Sequence, residues 1–283
     1  GLLHAVETPV RRAFVAELVD EDRIQHAVGL TGAITAIGRV LGTLCAGALI
    51  AASGIGWCFV ATAIGYLIAL ATLLLMRRDA LHITEVVRET GSARAGLRYA
   101  WRVPELRITL SMTAILATFG FNHQVLVPLL ADHTFDGGVG AYTLLYTAIG
   151  VGSVFGALAV ARHREIDVRF LAGAIIAFGL ANGLLAISPN LALAAVAGVA
   201  TGVTASLFVT ASTALLQQRC APAMRGRVMA LAAIVLLGGL PIGAPIIGWI
   251  ADFAGPRAGV AVGSMAAVLA GAVALQRRHR TVR

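Results

Sequence analysis

At 283 residues, 58% hydrophobic and 13% charged, the chain falls well short of the roughly 25% charged residues that a soluble domain carries, which excludes a fold that must be covered by water on all sides. The net charge of +8 rests on 22 basic residues, every one Arg. They lie in short gaps between apolar segments, which argues against a nucleic-acid face.

Residues 1–9 read as the last turns of an apolar span. A hydrocarbon crossing takes about 20 residues. Full-length candidates follow at 28–52, 57–76, 108–131, 139–161, 170–188, 191–216, 228–252 and 258–276. Main-chain groups in lipid must bond within their own segment, so these are predicted helices, and the short gaps make sequence neighbours antiparallel. The gap at 77–107 is longer. It interleaves Leu97, Tyr99 and Trp101 with several Arg before Pro104, which predicts a short interfacial helix with Arg near lipid phosphates. Cys45, Cys58 and Cys220 follow no metal-ligand or disulfide spacing and are expected to be free thiols.

The arginines alternate. Arg-bearing gaps at 11–23, 77–107, 162–169 and 219–227, and the Arg-rich tail, are separated by turns at 53–56, 132–138 and 188–190 with none, while the turn before the last span holds Arg257. Positive loops stay cytoplasmic, so the Arg-rich gaps and the C-terminus are predicted inside, with Trp57 and Trp249 in the outer aromatic belt.

Blocks near the two ends repeat. At an offset of 201 residues Gly42, Gly47 and Gly54 fall on Gly243, Gly248 and Gly255, and each block closes on an Arg pair, Arg77–Arg78 and Arg277–Arg278. Parallel repeats about an axis normal to the membrane mark one large transporter class. The same offset, with a start at Gly1 inside an apolar run, predicts a fragment whose missing part begins about 90–95 residues earlier.

Two six-helix halves, a long central loop and a cytoplasmic C-terminus resemble the major facilitator superfamily. The stretch Glu7 to Val19, with Ala27–Leu30, Arg39–Gly42, Gly96–Tyr99 and Arg225-Gly226-Arg227-Val228-Met229, is similar to its enterobactin-exporter-like and macrolide-efflux-like branch. The sequence departs from the superfamily where antiporters often carry Gly-Pro and this chain reads Gly42-Thr43, and in the loop Arg162–Arg169, a reduced form of a Gly-x-x-x-Asp motif. The resemblance implies an all-α polytopic membrane bundle lacking about the first three to four of twelve helices. Residues 1–76 would be the remainder of the N-terminal half, 77–107 the cytoplasmic central loop and 108–283 the C-terminal six-helix half.

Arg39 lies near the middle of its span, where charge is costly and a functional pointer. It reads as an anion or substrate contact or part of a charge relay, or else as a structural Arg bonded to carbonyls or to a carboxylate on a missing helix. Asn122, His123 and Gln124 interrupt the span 108–131. His123 titrates in the range of a proton carrier, against the blander reading of an interhelical hydrogen bond. Tyr142 and Tyr146, four residues apart, share a face. Thr204, Ser206, Thr210 and Thr213 lie on the span that the resemblance makes cavity-lining, and backbone-bonded hydroxyls are the alternative for them. Gly38/Gly42, Gly152/Gly156, Gly179/Gly183, Gly198/Gly202 and Gly239/Gly243 are small-x-x-x-small pairs that let helices approach closely. Pro241 and Pro245 should bend their helix, as a hinge or as fixed shape.

Asp132, Asp136 and Asp252 stand at outer ends of spans, and no phosphate-cradling loop, metal cluster or nucleophile–base set appears. The expectation is therefore a gradient-driven exporter of small amphipathic molecules such as drugs or siderophores, not an enzyme. It would sit in the cell membrane as a monomer, with lipid, substrate and, by the resemblance, protons as partners, and without cofactor, metal or nucleic acid. A non-transporting membrane protein is the alternative.

Overall fold

A computed structural model describes residues 56–75, 93–161, 166–221 and 224–281, with further positions between 34 and 54. The chain divides into two compact units, Gly1–Thr90 and Gly91–Arg283. In the first, helix α1 (Gly56–Leu74) is apolar throughout. Its threonines turn inward on their own backbone, Thr62 donating to the Cys58 carbonyl at 2.7 Å and Thr72 to that of Ile68 at 2.8 Å. This hides hydroxyls that lipid cannot satisfy. Most of the span expected at 28–52 lies outside the described residues, as does Arg39.

The second unit opens with α2 (Ala93–Arg102), the short amphipathic helix expected in the central loop. There follow α3 (Pro104–Ile115), one π-helical turn (Leu116–Gly120) and α4 (His123–His133), which together make one crossing, then α5 (Gly138–Ala161), α6 (Val168–Ile187), α7 (Leu191–Arg219), α8 (Arg225–Ala254) and α9 (Pro256–Thr281). Among the described residues six helical stretches are long and apolar enough to span a bilayer, all in this unit.

Local chemistry sets the ends. Pro104 opens α3 where its missing N–H costs nothing. Asp167 accepts the Phe170 N–H at 2.9 Å and Asn190 that of Leu193 at 2.9 Å, capping α6 and α7. The turn from α8 to α9 needs a positive φ at Gly255, +88°, a conformation glycine adopts without strain. Arg257, the one arginine in the short turns otherwise free of arginine, donates to the Ser188 carbonyl at 2.8 Å, so it closes the C-terminus of α6, where a cation is favoured.

α5 lies along α7, α6 packs on α7 and α9, and the α3–α4 crossing contacts the five other spanning helices. Apolar clusters fill the unit from end to end. One joins Leu126, Leu130, Leu185 and Val260; the next Met112, Leu116, Phe178 and Phe208; the last Ala100, Leu106, Leu216 and Val228, under α2.

Candidate functional site

The crossing from Pro104 to His133 is broken near its middle. The Phe121 N–H reaches back five residues to the Leu116 carbonyl at 2.9 Å, which defines the π turn. The Asn122 side-chain amide donates to the Thr118 carbonyl at 2.7 Å, replacing a main-chain donor that the break withdraws. The Asn122 main-chain carbonyl then starts α4 by accepting from Val125 and Leu126. Asn122 is 1% exposed, and its Oδ1 has no partner among the described residues. Single π turns inside helices are often found at functional sites.

Two glycine faces grip this joint. On α8, Gly239 sits on Ala117 and Gly243 on the Thr118 carbonyl, so closely that a Cβ at either would overlap them. On α9, Gly263 abuts the Phe119 carbonyl in the same way. Pro241 and Pro245 occupy the opposite, exposed face of α8, which runs unbroken past both. A similar approach joins α5 to α7, where Gly152 and Gly156 meet the Val199 and Val203 carbonyls and Gly202 meets that of Ile149. A Cβ added at Gly198 would make only ordinary contact with Ala148. Gly179 and Gly183 face Ser264, whose hydroxyl donates to the Gly179 carbonyl. At Gly38 and Gly42 an added Cβ meets nothing within 4 Å.

His123 points into the packing of α6 and α9. Its Nε2 lies 3.2 Å from the Asn182 Oδ1, and the Asn182 amide donates to the Val260 carbonyl at 3.3 Å. Since the amide is the donor to Val260, the oxygen faces the histidine, and Nε2 carries the proton. The Phe178 ring stands edge-on to both His123 and Phe121. The three-helix chain makes a testable prediction. Asn182→Leu removes both bonds and is expected to lower stability by about 1 kcal/mol, the scale of interhelical hydrogen bonds in membranes, read as a lower unfolding midpoint in detergent.

Tyr142 and Tyr146 do share a face, with ring centroids 5.1 Å apart, half-buried against the Leu126–Leu130 cluster. Thr204 donates to the Ala200 carbonyl at 2.8 Å and Thr213 to that of Val209 at 2.9 Å. Gln124 is exposed and Ser206 and Thr210 are half-buried. These residues are distributed along the crossing helices and form no single cluster.

At the Arg-rich end, α2 docks on the loop between α7 and α8. The Ala221 N–H donates to the Tyr99 hydroxyl at 3.0 Å, and Gly96 lies so near Arg227 that an added Cβ would come within 3.0 Å of the Arg227 Cβ. Arg227 also donates to the Met224 sulfur at 3.3 Å; Arg225 and Gly226 are exposed. Glu105 and Arg219 pair at 3.1 Å. Burial pushes the Cys220 thiol up, although the Tyr99 hydroxyl and Arg225 pull the other way, so Cys220 stays protonated and unreactive near neutral pH.

A groove of about 470 Å³ runs between α3 and α9. Arg107 and Ser111 are its polar lining; Ile108, Met112 and Ile115 continue down α3 and Phe119 into the π turn, facing Leu269 and Val273 of α9. Sequence reasoning counted Arg107 as a loop charge. Its pairing with α9, more than 150 residues away, leaves no local signal. Among the described residues no group of His, Cys, Asp or Glu gathers to hold a metal.

The broken central helix and glycine-gripped crossings belong to a membrane transporter architecture. Residues 1–282 match the family described as transmembrane secretion effector, and the chain belongs to that family of the major facilitator superfamily, whose members are transporters rather than enzymes. It is 27% identical over 158 residues to the staphyloferrin A transporter of Staphylococcus aureus, covering 56% of this chain and 40% of that protein. It is 29% identical over 199 residues to a multidrug resistance protein B homolog of Mycobacterium tuberculosis, covering 66% and 37%. The chain thus spans about 40% of the length of the curated relatives it matches. In fold it is similar to a bacterial homolog of the human lysosomal transporter Spinster, solved inward-facing and unoccupied, with a TM-score of 0.59 at 16% identity over 95% of this chain and 72% of that one.

Proposed function

We propose that this chain works as a secondary exporter of small amphipathic molecules, by alternating access and with proton antiport. The match to a secretion family over residues 1–282, with a siderophore transporter and a multidrug resistance homolog among its relatives, carries this reading. Rocking of rigid helical halves around a midplane site is how such repeats work. The glycine-locked pairs α5–α7 and α6–α9 would move as units, with the π turn and Pro241–Pro245 as the points that bend.

Within this reading the protein sits in the cell membrane, with 1–76 in the first half, 77–107 as the central loop and 108–283 as the second half. The Arg-rich loops and the C-terminus face the cytoplasm; the helix-capping role of Arg257 accounts for the one arginine on the other side. Gln124, Ser206 and Thr210 are the foremost candidates for substrate contact, since Asn122, His123, Thr204 and Thr213 already hold structural bonds. Tyr142 and Tyr146 would add an aromatic wall, and Arg39 remains the candidate anion contact or relay.

Cells that lack their own efflux pumps and express the protein should accumulate less of a fluorescent amphipathic dye than cells without it. A protonophore should raise accumulation to the control level. Dye retention unchanged by expression would sink the exporter reading, and efflux unchanged by the protonophore would sink proton antiport alone. Ser206→Ala combined with Thr210→Ala should weaken efflux about fivefold, the effect of losing about 1 kcal/mol of hydrogen bonding, whereas Thr204→Ala should leave it intact.

A further inference from the structure

We propose that the groove between α3 and α9 seats an acyl chain of an anionic phospholipid, with the headgroup held by Arg107 and by Arg98 and Arg102 of α2. The groove has the polarity of such a lipid. Arg107 and Ser111 stand one helical turn apart at one end, and the wall beyond them is apolar through Met112, Ile115 and Phe119. The Arg107 Nε is buried with no acceptor among the described residues, and a buried donor of that kind lacks the partner that normally offsets its desolvation. Its volume of about 470 Å³ lies in the range of about 300–1,000 Å³ typical of small-ligand sites.

The depth also fits. Arg107 is one turn inside α3, immediately after the interfacial helix. On α2, Gly96 and Ala100 face the bundle, while Trp101 and Leu97 are exposed on one flank and Arg98 and Arg102 beside them. Aromatic and aliphatic groups next to arginine place a helix at headgroup level, where each cation is drawn toward an anionic leaflet. The opposite wall opens sideways, since Leu269 is 60% and Val273 46% exposed. A chain can therefore enter from the bilayer without crossing the protein.

The test uses the full chain in nanodiscs of phosphatidylcholine with phosphatidylglycerol added, extracted in mild detergent and weighed by native mass spectrometry. The unmutated protein should retain a single phosphatidylglycerol in preference to phosphatidylcholine. Arg107→Gln should weaken that retention about tenfold, the loss of one charge-assisted hydrogen bond. Leu269→Trp keeps Arg107 and fills the groove from an exposed position that tolerates change; it should lose the lipid too. Equal retention of the two lipids, or phosphatidylglycerol retention unchanged in both variants, overturns the proposal. So does a third result, in which dodecyl phosphate is transported in an Arg107-dependent manner and no lipid is retained; the groove would then be a substrate entrance. None of these readouts depends on dye efflux, so the lipid site and the exporter reading fail separately.

Discussion

Gly243→Leu is expected to cost the second unit about 3 kcal/mol or more of stability, the upper end for inserting side-chain carbons into a packed interior. At about 2–4 °C per kcal/mol for a unit of this size, the unfolding midpoint in detergent should fall by about 10 °C. A Cβ on Gly243 would overlap the Thr118 carbonyl itself, a main-chain atom. Side chains can rotate away from an intruder, but a helix backbone moves only as a whole. Thr118 is also the carbonyl that the Asn122 amide holds at 2.7 Å. Displacing α8 would therefore disturb the bond that bridges the helix break, and efflux should be lost along with stability. The control is Gly173→Leu on α6, where an added Cβ meets nothing within 4 Å. That substitution should leave both midpoint and efflux near their original values, even gaining from the better helix propensity of leucine. Equal losses at the two positions would show that close approach is not what fixes Gly243.

The spanning helices are legible in the sequence because the bilayer imposes a length and forbids unpaired backbone. Their ends are less legible. The stretch expected at 228–252 is helical from Arg225 to Ala254, and that expected at 108–131 runs from Pro104 to His133. Arg225, Arg227, Glu105 and Arg107 are helical residues outside or at the rim of the hydrocarbon, where apolarity stops but hydrogen bonding does not. The π turn has no local signal. Leu116-Ala117-Thr118-Phe119-Gly120 is an ordinary apolar run; what distinguishes it is the close approach of Gly239, Gly243 and Gly263 from two other helices. Polarity at Asn122 and His123 flagged the region. It could not show that Asn122 bridges the break within its own helix while His123 turns toward Asn182.

That division explains why packing was easier to anticipate than chemistry. Small-x-x-x-small spacing is a one-helix property, readable at Gly152/Gly156 and Gly239/Gly243. Whether a polar side chain faces a cavity depends on the rotation of its helix, and the low amphipathicity of the long spans hides that rotation, since lipid and protein interior are both apolar. Thr204 and Ser206, two residues apart, read alike in sequence; in the fold the Thr204 hydroxyl is tied to the Ala200 and Thr201 carbonyls.

The crossing of α5 and α7 should show a second large effect with a distinct signature. Gly152 faces the Val199 carbonyl and Gly202 faces that of Ile149, so each helix supplies the glycine against which the other lays its backbone. Gly152→Ile or Gly202→Ile alone should destabilise by about 3 kcal/mol, because each forces the same pair of axes apart. Once the axes have separated for the first substitution, the second meets space already opened. The double variant should then be less damaged than the sum by about 1–3 kcal/mol, the coupling seen between residues that share a backbone shift. Unfolding midpoints of the four proteins in one detergent supply the cycle. Strict additivity would mean that each isoleucine is absorbed locally, and the two helices would no longer qualify as a body that rocks as one.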